Sequence, residues 1–158
     1  MNSAPSTYFT YNTPVGHITI AANAQAITHI ILGKQTLAAP HKACALTNKA
    51  ANQLQEYLAG KRKAFDLPLA PEGTSFQLQV WDELRAIPYG QTCSCSALAA
   101  AIDKPKSQQA VGVAAHKNPL AIVVPSHRLV GAAGKPLGSA AEIKTKEFLL
   151  NREQNRPR

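Results

Sequence analysis

Aromatic side chains make up only 6% of this chain, so a surface that stacks successive bases of a single strand is not expected. Long apolar runs are missing too. None approaches the roughly 20 residues that a membrane helix needs, and no membrane partner is expected. The opening Met1-Asn2-Ser3-Ala4-Pro5 lacks the basic-then-apolar layout of a signal peptide. Cysteine is limited to Cys44, Cys93 and Cys95, an odd number with two of them too close for a comfortable bridge. That excludes a disulfide scaffold and points to the reducing cytoplasm. Cys93 and Cys95 have no third and fourth ligand nearby, so neither a metal nor a cofactor is expected. Acidic residues are also few: nine Asp and Glu face 17 Lys and Arg, a net charge of +8 and a pI near 9.6. Such an excess favours a polyanion as partner.

What the chain does contain suits one core-forming domain with a smaller one attached: 158 residues, 45% of them hydrophobic. Thr7–Tyr11, His17–Ala21 and Ile27–Leu32 alternate as strands, with turn chemistry at Thr13-Pro14-Val15-Gly16. Leu46, Ala50, Leu54, Tyr57 and Leu58 recur at helical spacing up to Gly60. Phe65–Leu69 reads as a further strand, and Pro68, Pro71 and Gly73 mark a linker. Beyond it the pattern turns helical. Ser75 is placed to cap a helix bearing Phe76, Val80, Trp81, Leu84 and Ile87. A second helix runs from Ser94 or Ser96 through Ile102 and a third from Pro105 to about His116. Their tight connection is compatible with helix-turn-helix. Leu120–Val124 reads as a buried strand, and a last helix spans Ser139 to about Asn151, followed by a frayed tail. The expected fold class is therefore α/β plus α. An amino-terminal domain (1–72) has an antiparallel sheet and one helix, and a mostly helical domain (73–158) holds the helix-turn-helix and an active-site loop.

Five ordered segments carry a resemblance: Ile87-Pro88-Tyr89-Gly90-Gln91-Thr92, Ala110-Val111-Gly112, Asn118-Pro119, Val124-Pro125-Ser126-His127-Arg128-Leu129-Val130-Gly131 and Lys146-Glu147-Phe148-Leu149-Leu150. Together they resemble the O6-alkylguanine-DNA alkyltransferases, also called methylated-DNA–protein-cysteine methyltransferases, strongly over about residues 73–152. The resemblance implies a monomer that binds double-stranded DNA from the minor-groove side and flips an O6-alkylated guanine into a pocket. A cysteine thiolate then takes the alkyl group irreversibly. It implies Ser126 at the nucleophile position, His127 as base, Glu147 as the carboxylate orienting it, and Asn118 as a hinge. Gln109, Cys95, Ser94, Lys106, Ala110, Lys117 and Arg128 fall on the DNA side, and Tyr89, Val130, Ser139 and Ala140 around the pocket. Independently, Ile143, Glu147 and Leu150 share a helix face, which predicts a partly buried Glu147.

Four departures bear on the chemistry. Ser126 replaces the acceptor cysteine, and a hydroxyl beside a neutral histidine yields no useful alkoxide for attack on an alkyl carbon. Gln109 stands where the family places an intercalating arginine, Cys95 where it places a tyrosine, and Ser139-Ala140-Ala141 where it has a tyrosine–small–glycine stretch. These imply a roomier pocket and weaker flipping. The resulting expectation is a DNA-damage recognition protein without alkyl transfer, like the alkyltransferase-like proteins that flag lesions for nucleotide excision repair. It would be cytoplasmic and nucleoid-associated when bound, or nuclear in a eukaryote. Two alternatives stay open: a single-turnover methyltransferase whose cysteine has been exchanged for serine, and a protein-interaction module that has left DNA behind. Serine hydrolysis is disfavoured, since no G-x-S-x-G elbow is present.

Overall fold

A computed structural model of the chain describes residues 4–131 and 134–154. Strands β1 (Thr7–Thr13), β2 (Gly16–Ala22) and β3 (Ile27–Leu32) form an antiparallel sheet in the order β1-β2-β3. Phe9 lies opposite Ile20, and Ile18 opposite both Tyr11 and Leu32. The first hairpin closes at Pro14-Val15, with Gly16 at φ 99°, a conformation cheap only for glycine. Simple alternation holds poorly for β2, whose Ile18, Thr19, Ile20, Ala21 and Ala22 are all buried. The central strand is covered on both faces, and helix α1 (Ala45–Leu58) packs against it. Its one buried polar side chain, Thr19, donates to the Gly33 carbonyl at 2.8 Å, which satisfies the buried hydroxyl.

Two expected strands shrink to single bridges on the edge of β3. Leu69 pairs with Ile27 and Leu120 with Ile30, both parallel. The carbonyls of Pro68 and Pro119 accept the N–H groups of Ile27 and Ile30 at 2.8 Å. Proline has no N–H to extend a ladder, and Pro71 and Pro125 end each segment. The second segment also turns at Ile122, which is buried at φ 72°, a rare conformation for a β-branched residue.

By its internal contacts the chain divides into two units, Met1–Glu72 with Pro119–Ala121, and Gly73–Asn118 with Ile122–Arg158. The three-residue excursion 119–121 is the departure from a continuous second domain. The second unit contains α2 (Ser75–Arg85), β4 (Cys93–Ser94), α3 (Cys95–Ala101), α4 (Gln108–His116), a 3-10 turn at Ser126–Arg128, β5 (Leu129–Val130) and α5 (Ala140–Glu153). Thr74, not Ser75, caps α2: its hydroxyl accepts from Gln77 N and Gln77 returns the bond, a capping box. Trp81 is buried and donates from Nε1 to the Ala114 carbonyl at 2.9 Å, fixing α2 to α4. Truncating such a side chain to alanine costs about 3–5 kcal/mol. The third helix starts at Gln108 rather than Pro105, because Lys104–Ser107 closes as a turn with Asp103 at φ 61°. Among the described residues no helix is long and apolar enough to cross a membrane.

Candidate active site

The second unit is organised around one buried carboxylate. Glu153, in the last turn of α5, is fully buried. It accepts two parallel bonds from Arg128, Nε to Oε1 and Nη2 to Oε2, each 2.8 Å. Its Oε2 also lies 2.7 Å from His127 Nε2, and its Oε1 accepts the Gly90 N–H at 3.0 Å. Arg128 spends a further donor on the Ile87 carbonyl at 2.7 Å, and its guanidinium lies over the Tyr89 ring at 5.7 Å. A two-pronged Arg–carboxylate pair is the geometry in which buried charges compensate best. The arrangement joins the Ile87–Gly90 loop, the 3-10 turn and the end of α5 at a single point.

His127 is 2% exposed. Burial pushes its pKa below the ordinary histidine value, opposed by the neighbouring Glu153 carboxylate. A neutral ring beside an arginine-paired carboxylate donates from Nε2–H to Glu153, which leaves the basic lone pair on Nδ1. Glu147, expected in this orienting role, is exposed on α5. The carboxylate that meets His127 is Glu153 instead. A signal for it exists in the sequence: Leu149, Leu150 and Glu153 fall at i, i+1 and i+4, the buried face of the helix. The expectation ended the helix at Asn151 and so missed it. Arg128, expected on the DNA side, is likewise buried and committed to Glu153.

Ser126 opens the 3-10 turn and lines a cavity of about 340 Å³ with Gln109, Gly112, Val113, Ala115, His116, Leu129, Leu137, Gly138 and Lys146. Asn118, just past α4, donates from Nδ2 to the Val124 carbonyl at 2.7 Å. It thereby ties the end of the helix to the strand-like segment that delivers Ser126. Gln109 sits exposed on the first turn of α4, with Ala110 exposed beside it. Lys106 in the preceding turn and Lys117 at the C-terminal cap are exposed too.

The residues expected around the pocket stand elsewhere. Tyr89 packs on Arg128. Val130 pairs with Ser94 in the short parallel sheet of β4 and β5 and bridges to Pro136. Ser139 caps α5, accepting from Glu142 N while Glu142 Oε1 accepts from Ser139 N, and Ala140 is exposed. Ser94 caps α3 through Ala97 N at 3.1 Å. Cys95 follows it, its Sγ lying 3.9 Å from where a side chain on Gly112 would begin; burial pushes the thiol pKa up. Lys146 and His116 were not anticipated. Lys146 is half-buried on the cavity wall, and His116 Nδ1 lies 3.3 Å from Glu142 Oε2. Among the described residues no group of three or more His, Cys, Asp or Glu is placed to hold a metal ion.

With this geometry in place, comparison with known proteins decides the family. Residues 7–71 match the ribonuclease-like domain of 6-O-methylguanine DNA methyltransferase, and residues 75–155 match the DNA binding domain of the same protein. The chain belongs to the 6-O-methylguanine DNA methyltransferase family. Methylated-DNA–protein-cysteine methyltransferase of Methanosarcina barkeri is 43% identical over 155 residues, covering 94% of this chain and 97% of that protein. The constitutive Bacillus subtilis enzyme is 42% identical over 156 residues, covering 93% and 94%. Among solved structures, the Mycobacterium tuberculosis O6-methylguanine methyltransferase superposes with a TM-score of 0.87 at 37% identity, covering 96% of this chain and 94% of that one. The M. tuberculosis protein in complex with DNA gives 0.87 at 38%, covering 95% and 94%. The methyltransferase fold is thus the fold of this chain, an antiparallel sheet domain followed by helices.

Proposed function

We propose that this protein recognises O6-alkylguanine in double-stranded DNA and that its chemistry stops there. The observation that carries the reading is Ser126 on the wall of the cavity, at the position where the family resemblance places the alkyl-accepting cysteine, with His127 and Glu153 assembled behind it. An extrahelical base reaches such a cavity only by leaving the stack. A histidine base raises the nucleophilicity of a thiol by holding the thiolate; a serine hydroxyl is too weak an acid for the same help to suffice against an alkyl carbon.

Several features support DNA as the ligand: the net charge of +8, the α3–α4 helix pair, the exposed Lys106 and Lys117 at either end of α4, and the DNA-bound relative. On this reading α4 enters the minor groove, with Gln109 filling the space left by the flipped base. Nucleotide-excision repair proteins are the partners such a marker would recruit. The test is a titration of plain and O6-methylguanine duplexes at several salt concentrations, with intact-mass measurement of the protein afterwards. Preferential, salt-dependent binding and unchanged mass are expected. A methyl group on the Ser126 oxygen would falsify the loss of transfer. Absence of any salt-dependent binding would favour the interaction-module alternative.

A further inference from the structure

The cavity wall is apolar apart from a few groups, and one of these is a cation. Lys146, on the second turn of α5, lines it together with Ser126, Leu129 and Leu137. One of its three ammonium hydrogens goes to the Leu137 carbonyl at 2.7 Å. That is its sole hydrogen bond among the described residues, so two donors remain on a half-buried charge. Burial works against this charge, as the lowered pKa of the amine shows, with Glu142 and Cys95 acting the other way. Glu142 is the carboxylate that acts on it, but it is engaged with Ser139 N at 3.2 Å and His116 Nδ1 at 3.3 Å. A desolvated ammonium with spare donors gains most from an anionic acceptor delivered by the ligand itself.

Resting on the recognition reading above, we infer that the pocket prefers O6 substituents ending in a carboxylate, which Lys146 pairs with, over plain alkyl groups. The volume of about 340 Å³ falls at the lower end of small-ligand sites and leaves room for a short extended substituent beside the base. Because Ser126 accepts no alkyl group on this reading, the complex is an equilibrium one and the preference is directly measurable.

The experiment compares duplexes carrying one O6-carboxymethylguanine, O6-carbamoylmethylguanine, O6-methylguanine or unmodified guanine, by fluorescence anisotropy on the full chain. A charge-assisted bond is stronger than the same bond to a neutral amide, so the carboxymethyl lesion should bind about tenfold more tightly than its neutral carbamoyl twin. Lys146→Met should bring the two to parity, Lys146→Arg should keep the preference, and Glu142→Gln should widen it. A merely structural lysine would weaken binding to all lesions alike and leave the charge preference untouched, which overturns the inference. Equal affinity of the wild type for the charged and neutral lesions, both above unmodified DNA, overturns it as well and leaves the recognition reading standing. No preference for any lesion over unmodified DNA overturns both.

Discussion

The interior of the second unit and its cavity wall have been treated differently. Inside, the Glu153 carboxylate is matched on both oxygens: two prongs from Arg128, His127, and the Gly90 N–H. On the wall, Ser126 and Gln109 occupy, on the proposed reading, the places of more reactive or more strongly binding groups, and Lys146 holds one bond to a loop carbonyl. Interior groups are constrained jointly, because removing one strands the others in a medium that does not hydrate them. Wall groups face solvent or ligand and change one at a time. On the proposed reading the chain has lost transfer at the wall while keeping the interior pairing of His127 with Glu153.

The most severe way to test that contrast is to put the thiol back. Ser126→Cys should take up the methyl group of an O6-methylguanine duplex stoichiometrically, read as intact mass, while the wild type takes up none. Failure to transfer would show that the wall has changed beyond its nucleophile. Next in size is Glu153→Gln, which leaves Arg128 buried without its counter-charge. A loss of about 3–5 kcal/mol in denaturant unfolding is expected, against no measurable change for Glu147→Gln on the exposed side of the same helix. Equal effects of the two substitutions would erase the distinction between hub and surface.

A smaller effect is expected from Gln109→Arg. One added phosphate contact should steepen the slope of log K against log salt by about 0.9, and plain duplex should gain affinity together with the lesion. The smallest is the pH dependence of His127. Its folded pKa lies below the unfolded value of about 6.5, so the unfolded chain binds the proton more readily. Its contribution to stability is complete above that value and is lost as pH falls through the lower folded one. Thermal unfolding from pH 7.5 downwards should therefore decline more steeply for the wild type than for His127→Gln. Parallel curves would mean that another group governs the acid limb.

Much of the fold was legible from pattern alone. The three strands and the helices at 45–58 and 75–85 announce themselves by period, by capping residues and by bounding glycines and prolines. The candidate strands at Phe65–Leu69 and Leu120–Val124 misled, because apolar content suggested ladders that the adjacent prolines could not extend. In the site, Ser126, His127 and Asn118 stood inside recognisable segments. Glu147 came from the family resemblance, and Glu153 was missed because the expected helix stopped at about Asn151, short of the turn of α5 that meets His127. Tyr89, Val130, Ser139 and Ala140 were expected on the pocket from the family resemblance, whereas packing pairs them with Arg128, with β4 and with the start of α5.

By itself the sequence determined the types of the longer elements, the excess positive charge and the presence of oxygen rather than sulfur at position 126. These are properties of residues and their immediate neighbours. Tertiary structure alone decided which carboxylate His127 meets, that Arg128 turns inward, and that Lys146 borders the cavity. Each of those depends on where residues far apart in the chain come to lie, and on which charges lose their water when they do.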